Sequence, residues 1–347
     1  DRMAEVPGLN TPAPLPVPVR IARRAWRLPH LPLIPMLILV VFLVTGIAAP
    51  WIAPHNPERG DIRARNVPPF WVGDDTQLKV VVETVQTGEG SSQISLADAG
   101  RKMAGAVVGD EVDVLIKKGG STKYLFGTDH LGRDMLSRTI YGARISLVVV
   151  GVVLIIGGGI GVSMGLLAGW YGGVVDELVM RLVDIKLAIP TILLALVLIL
   201  ALGQSFMIIV VVLAIAIWPR FARNIRGEVL QLKTMDFVAL AQVAGASTPR
   251  ILIFHIFPGV VNTLIILATL EVGLVILLES TLSFLGAGVP PPTPAWGSMV
   301  ADGRDRLAVA WWISTMPGLA IMLIVMSMNI FGDWLRDVLD PRLRQLE

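Results

Sequence analysis

The stretch DFVALAQVAGASTPRILIFHIFP, residues 236–258, separates two apolar runs, SFMIIVVVLAIAIW at 205–218 and VVNTLIILATLEVGLVILLESTLSFL at 260–285. It is too polar and too broken to cross a bilayer. Phe237, Leu240, Ala241 and Ala244 fall at i, i+3, i+4 and i+7, which places them on one helical face. Asp236 is a good N-cap type. Gly245 suits the position just past a helix end. Thr248 and Pro249 read as a second N-cap followed by a proline at the first helical position. That helix runs to about residue 257, and Pro258 marks entry into the next apolar run. The stretch is therefore a surface helix–turn–helix between membrane spans. A helix lying on lipid carries basic residues along its polar side. The first helix has few, so an apolar face seated in a partner's groove fits better.

Outward from this loop the chain is strongly apolar. It has 347 residues, of which 54% are hydrophobic and 16% charged, against about 25% charged in soluble domains. These values define an all-α polytopic membrane protein. Six transmembrane helices are expected, at about 34–52, 146–170, 178–202 (broken by Pro190), 205–218 continuing toward 233, 260–285 and 311–331. The first run follows Arg20, Arg23, Arg24 and Arg27 and lacks a small-residue cleavage site, so it reads as a retained span. Net charge is only +2, which gives no case for nucleic acid. There is no cysteine, which excludes disulfides and thiolate chemistry.

Arg and Lys bias in short loops sets orientation. The N-terminal arginines, then Arg220, Arg223, Arg226, Lys233 and Arg250, then Arg336, Arg342 and Arg344 all fall on one side of a six-span chain. That side is read as cytoplasmic, with both termini there. The loop with Arg304 and Arg306 is a mild exception, accompanied by Asp302 and Asp305. The chain divides into an N-terminal tail (1–33), a first span (34–53), an extracytoplasmic segment (54–145), a helical core (146–335) and a C-terminal tail (336–347). QLKVVVETVQT and DEVDVLIKKGGSTKYLFG have strand character. SLADAGRKMAGAVVG between them reads as a short helix or turn, giving a small β-rich insert at about 70–124.

Ionisable groups inside spans usually face a wet cavity or pair within the bundle. Glu271 and Glu279 lie in the fifth span, eight residues or about 12 Å apart, and are not one close pair. They line a polar pathway through the bundle, the candidate path, or they pair structurally with Lys186, Arg181 or a neighbouring subunit. Pro190 is a hinge candidate or a packing kink. The glycines of IIGGGIGVSMG permit close helix approach. Asp129, His130 and Asp134 in TDHLGRD invite a metal reading, but loop residues of these types are more often hydrogen-bonded, and no metal site is expected.

Four stretches together resemble one family. DFVALAQVAGASTPRILIFHIFP is similar to the cytoplasmic EAA loop of ABC-importer permeases, with Gly245 and Pro258 matching. The Glu-Ala-Ala positions read Ala239-Leu240-Ala241, so the glutamate is missing. Counted from an Asp236 cap, it would stand at the capping-box position. FGTDHLGRDMLSRTIYGARISL, ESTLSFLGAGVPPPTPAWGSMVADGRD and PGLAIMLIVMSMNIFGDWLRDVLDPRLR follow the family in order. The chain thus resembles the second permease subunit of dipeptide, oligopeptide and nickel ABC importers, except at 70–124, where the insert is longer than usual.

The resemblance implies a type I importer permease in a bacterial or archaeal cytoplasmic membrane. It implies a heterodimer with a homologous permease, two cytoplasmic ATPase subunits and an extracytoplasmic substrate-binding protein. No Walker-type loop occurs in this chain, so it is not expected to be an enzyme by itself and holds no cofactor. ATP and Mg belong to the ATPases. Asp236, Phe237, Leu240, Ala241, Ala244, Gly245, Ser247 and Pro258 are the expected ATPase-coupling residues. Peptides are the expected cargo; nickel, an oligosaccharide or glutathione are alternatives within the architecture. A secondary transporter or channel is the alternative of a different class, weakened by the lack of an inverted repeat.

Overall fold

The computed structural model describes residues 31–82, 93–95, 98–99 and 107–339. The N-terminal arginines, Arg342, Arg344 and most of SLADAGRKMAGAVVG lie outside them. The helices are α1 (Leu33–Ile52), α2 (Met135–Tyr171), α3 (Gly173–Ala188), α4 (Thr191–Leu202), α5 (Phe206–Leu232), α6 (Asp236–Val243), α7 (Thr248–Phe284), α8 (Trp296–Arg304), α9 (Leu307–Ala310) and α10 (Trp312–Leu339). Single π turns at Leu154–Gly158 and Leu252–Ile256 interrupt α2 and α7.

Among the described residues, α1, α2, α5, α7 and α10 are long and apolar enough to cross a membrane. The expected third span is not one kinked helix. It is α3 and α4 bent by 89° at their junction. Proline pushes the preceding residue out of the helical region, and Ile189 is extended at φ −89°, ψ 127°. The described residues therefore hold five such helices plus a broken pair.

Helix α5 forms the centre, burying Ile209, Val210, Leu213, Ile217, Phe221 and Ile225. Its closest neighbour is α2, whose Gly157, Gly161, Gly165 and Gly169 recur every four residues. A β carbon at Gly161 would lie 2.4 Å from the Trp218 carbonyl oxygen, and one at Gly165 2.7 Å from that of Ala222. Bilayer lipid is as apolar as leucine, so such backbone approach, with its dispersion contacts, is what holds helices together there. Helix α1 buries only Phe42, Gly46 and Ala49 and lies at the edge, against α2 and α10.

Among the described residues, three strands stand between α1 and α2. β1 (Asp75–Val82) is central, parallel to β2 (Gln93–Ser95) and antiparallel to β3 (Glu111–Lys117). Val81, Ile94, Ala99, Val112 and Val114 make a small core separate from that of the bundle. Lys117 ties this sheet down: its Nζ donates to the Val309 carbonyl and lies 5.3 Å from the centre of the Trp312 ring.

The TDHLGRD turn fastens the same end of the bundle. Asp129 Oδ1 accepts the Leu131 and Arg133 N–H groups at 2.8 and 2.9 Å, and its Oδ2 accepts from Arg133 Nε at 2.6 Å. Arg138 Nε approaches the same oxygen at 3.7 Å, while Arg138 Nη1 donates to the Pro57 carbonyl at 3.2 Å. Arg133 also reaches Asp302 of α8, at 3.7 Å. Asp134 caps α2, accepting from the Ser137 N–H and hydroxyl at 2.9 and 2.6 Å. Burial holds the His130 imidazole below its ordinary pKa, against the pull of Asp129. The indoles of Trp296 and Trp312 donate to the Thr139 and Thr128 carbonyls.

Candidate functional site

The opposite end of the bundle carries the loop that follows α5. α6 runs from Asp236 to Val243, but its N-cap is Met235 and no side chain caps it. Asp236 is the first helical residue, which leaves Ala239 one position past capping-box reach. A glutamate there would not complete a box, so the family's missing acid costs this helix start no capping bond. The C-terminus is a Schellman motif: Ala246 N–H donates to the Ala241 carbonyl and Gly245 N–H to that of Gln242, both at 3.0 Å. Gly245 has φ +77°, a conformation glycine adopts without steric cost. The second helix has Ser247 at its N-cap position, one residue before the expected Thr248, and no side chain caps it. It does not stop at Pro258. The preceding π turn, closed by Phe257 N–H to the Leu252 carbonyl, lets the helix run on through the proline.

The helix faces differ from the sequence reading by part of a turn. Val238 and Ala241 turn inward and are buried, at 0% and 9% exposure. Phe237, Leu240 and Val243 face outward, at 40%, 68% and 87%. Ala244, Gly245 and Ser247 are exposed beside them. Ala241 thus anchors the helix to the body, and Val243, absent from the expected set, joins the outer face. Ile253 and Phe254 extend the exposed apolar area along α7.

A seam of charge runs up α5 from this loop. Arg226 grips Asp176 of α3 through two bonds, at 2.9 and 2.6 Å. Arg223 pairs with Asp184 of the same helix. Arg220 pairs with the buried Glu271 of α7 at 3.1 Å. Lys186 is buried and donates to the Ala216 carbonyl, near the point where Pro219 leaves α5 one N–H short. Arg181 binds Glu177 instead of either membrane glutamate.

The two glutamates are held apart in chemistry as well as distance. Glu271 has a cation, with its second oxygen unpartnered among the described residues. Glu279 accepts from Ser283 at 2.7 Å and Ser280 at 3.5 Å, both on its own helix, and has no basic partner among the described residues. Arg220 was not among the expected partners of Glu271, because nothing in a single sequence links positions on different helices.

A multi-span helix bundle with a rigid, outward-facing apolar loop at one end is the build of a membrane permease subunit. The family model of the binding-protein-dependent transport system inner membrane component matches residues 161–345, and the chain belongs to that family. The di/tripeptide transport system permease protein DppC of Pseudomonas aeruginosa is 35% identical over 309 residues, covering 89% of this chain and 87% of that one. The dipeptide transport system permease protein DppC of Haemophilus influenzae is 34% identical, covering 90% and 91%. The glutathione transport system permease protein GsiD of Escherichia coli is 42% identical over 229 residues, covering 66% and 76%. Among solved structures, a chain of the inward-facing MetNI methionine ABC transporter aligns with a TM-score of 0.48 at 18% identity, over 59% of this chain and 98% of that one.

Proposed function

We propose that this chain is one of two permease subunits in an ABC importer of dipeptides or oligopeptides. In this reading the bent α3–α4 pair is the third of six spans. Both termini and the α6 loop lie on the cytoplasmic side, and the three-stranded sheet lies outside. A homologous permease completes the path. Two ATPase subunits supply ATP and Mg chemistry, and an extracytoplasmic binding protein delivers cargo. Relatives named for peptide transport support the substrate class. Those named for glutathione transport keep that tripeptide within it.

The observation that carries the reading is the split face of α6. Val238 and Ala241 lock the helix to the bundle, while Phe237, Leu240 and Val243 stay uncovered. Full burial of such side chains stabilises an interface by roughly 1.5–3 kcal/mol each. An ATPase cleft closing on ATP would thereby grip α6 as a rigid handle. The handle joins α7 through the short turn at Gly245, and α7 itself runs unbroken from Thr248 to Phe284, so displacement of the handle would tilt the span carrying Glu271 and Glu279. Binding energy that differs between the two states would then shift the population from inward- to outward-facing. Leu240→Asp is the test. It should abolish substrate-stimulated ATPase activity in the purified complex while the permease still inserts. Normal coupling by this variant would defeat the docking claim, and transport driven only by an ion gradient would defeat the ABC reading.

A further inference from the structure

A cavity of about 460 Å³ opens between α5, α7 and α10 at the loop end of the bundle. Its volume falls in the roughly 300–1,000 Å³ range of small-molecule sites. Asn224 and Glu228 of α5, Asn262, Thr263 and Leu267 of α7, and Arg336 of α10 line it. The arginines higher on α5 are all paired with carboxylates. Glu228 and Arg336 are different. Among the described residues neither takes part in an ion pair, although both face the same cavity.

A carboxylate and a guanidinium that share a cavity without neutralising each other suit a ligand with both charges. Arg336 can take a carboxylate through two parallel bonds, and Glu228 can accept from an ammonium. The amides of Asn224 and Asn262 and the Thr263 hydroxyl each donate and accept, as a peptide bond between the two ends requires. Leu267 offers apolar contact to a side chain. We propose that this cavity is an exit-side binding site for short peptides with free termini, with Glu228 holding the amino end and Arg336 the carboxylate. The inference rests on the peptide-importer reading and adds a site at the loop end of the path, its lining reaching up to Leu270 beside Glu271.

The test uses the complex as it purifies, in lipid nanodiscs without the binding protein, so that delivery from the other side is absent. The probes are radiolabelled dialanine, its N-acetyl form and its C-terminal amide. Dialanine should bind saturably. Glu228→Gln should weaken dialanine roughly tenfold, the scale of one charge-assisted bond, and leave the N-acetyl form unchanged. Arg336→Gln should weaken dialanine similarly and leave the amide unchanged. No saturable binding, no change in either variant, or an equal loss for all three probes would overturn the proposal. ATP-driven uptake of dialanine with the binding protein restored separates the two levels. Uptake without exit-side binding sinks this site alone. Uptake of no peptide at all sinks the peptide reading and this site with it.

Discussion

The two ends of the bundle solve opposite problems. At the sheet end, Asp129, Arg133, Asp134 and Arg138 are charged and buried, and all four are engaged in the hydrogen bonds and ion pairs of the turn. At the loop end, Phe237, Leu240 and Val243 are apolar and exposed. A buried network of that kind has little surface left to offer. It fastens α2, α8 and the segment after α1 to one another. An uncovered apolar face on a firmly anchored helix has little to do inside its own chain. The contrast assigns scaffold work to the sheet end and contact work to the loop end.

If that division holds, stability should fall most steeply at the sheet end. Asp129→Ala would leave Arg133 and Arg138 buried without their shared carboxylate. Breaking such a pair costs about 3–5 kcal/mol, and thermal unfolding in detergent should show it as loss of the folded monomer peak. An unchanged transition would end the scaffold assignment. Gly161→Val comes next, because the added carbons would strike the α5 backbone at the Trp218 carbonyl. Overpacking of this sort costs about 1–3 kcal/mol. A stable Gly161→Val variant would mean that α2 and α5 can move apart freely.

The Arg220–Glu271 pair lies between the extremes. Arg220 is about half exposed, with its side chain at 51%, so solvent screens part of the interaction. Arg220→Gln should cost about 1–2 kcal/mol, and adding Glu271→Gln should restore some of that loss by removing the stranded carboxylate. A double variant less stable than the single one would show that the two groups do not act as a pair. The smallest effect on stability belongs to Leu240→Asp, within about 0.5 kcal/mol for an exposed position, although it should have the largest effect on coupling.

Much of this was legible in the chain itself. The helix–turn–helix at residues 236–258 is written in Gly245, whose left-handed backbone the turn requires, and in the i, i+3, i+4 spacing of its apolar residues. Which of those residues face inward was not legible. Ala241 and Val243 lie 200° apart on an ideal helix, and only packing against the rest of the bundle decides which is covered. Pro190 announces a break but not its angle of 89°. The work of TDHLGRD was hidden because its partners, Pro57 and Asp302, lie far away in sequence. Glu271 and Glu279 were recognisable as unusual, but their separate environments depend on Arg220 of another helix and on Ser283 within their own.

The absence of cysteine permits a direct test of the central claim. Leu240→Cys and Ala241→Cys each place a single thiol on α6, one on the outer face and one on the inner. A thiol-directed photo-crosslinker on Leu240→Cys should capture an ATPase subunit in the assembled complex, and the site should be shielded from a water-soluble maleimide. Ala241→Cys, covered by its own chain, should capture no ATPase and should resist the maleimide equally with and without the ATPase subunits. A Leu240→Cys site that stays open to the maleimide in the full complex, with no ATPase captured, would contradict the account.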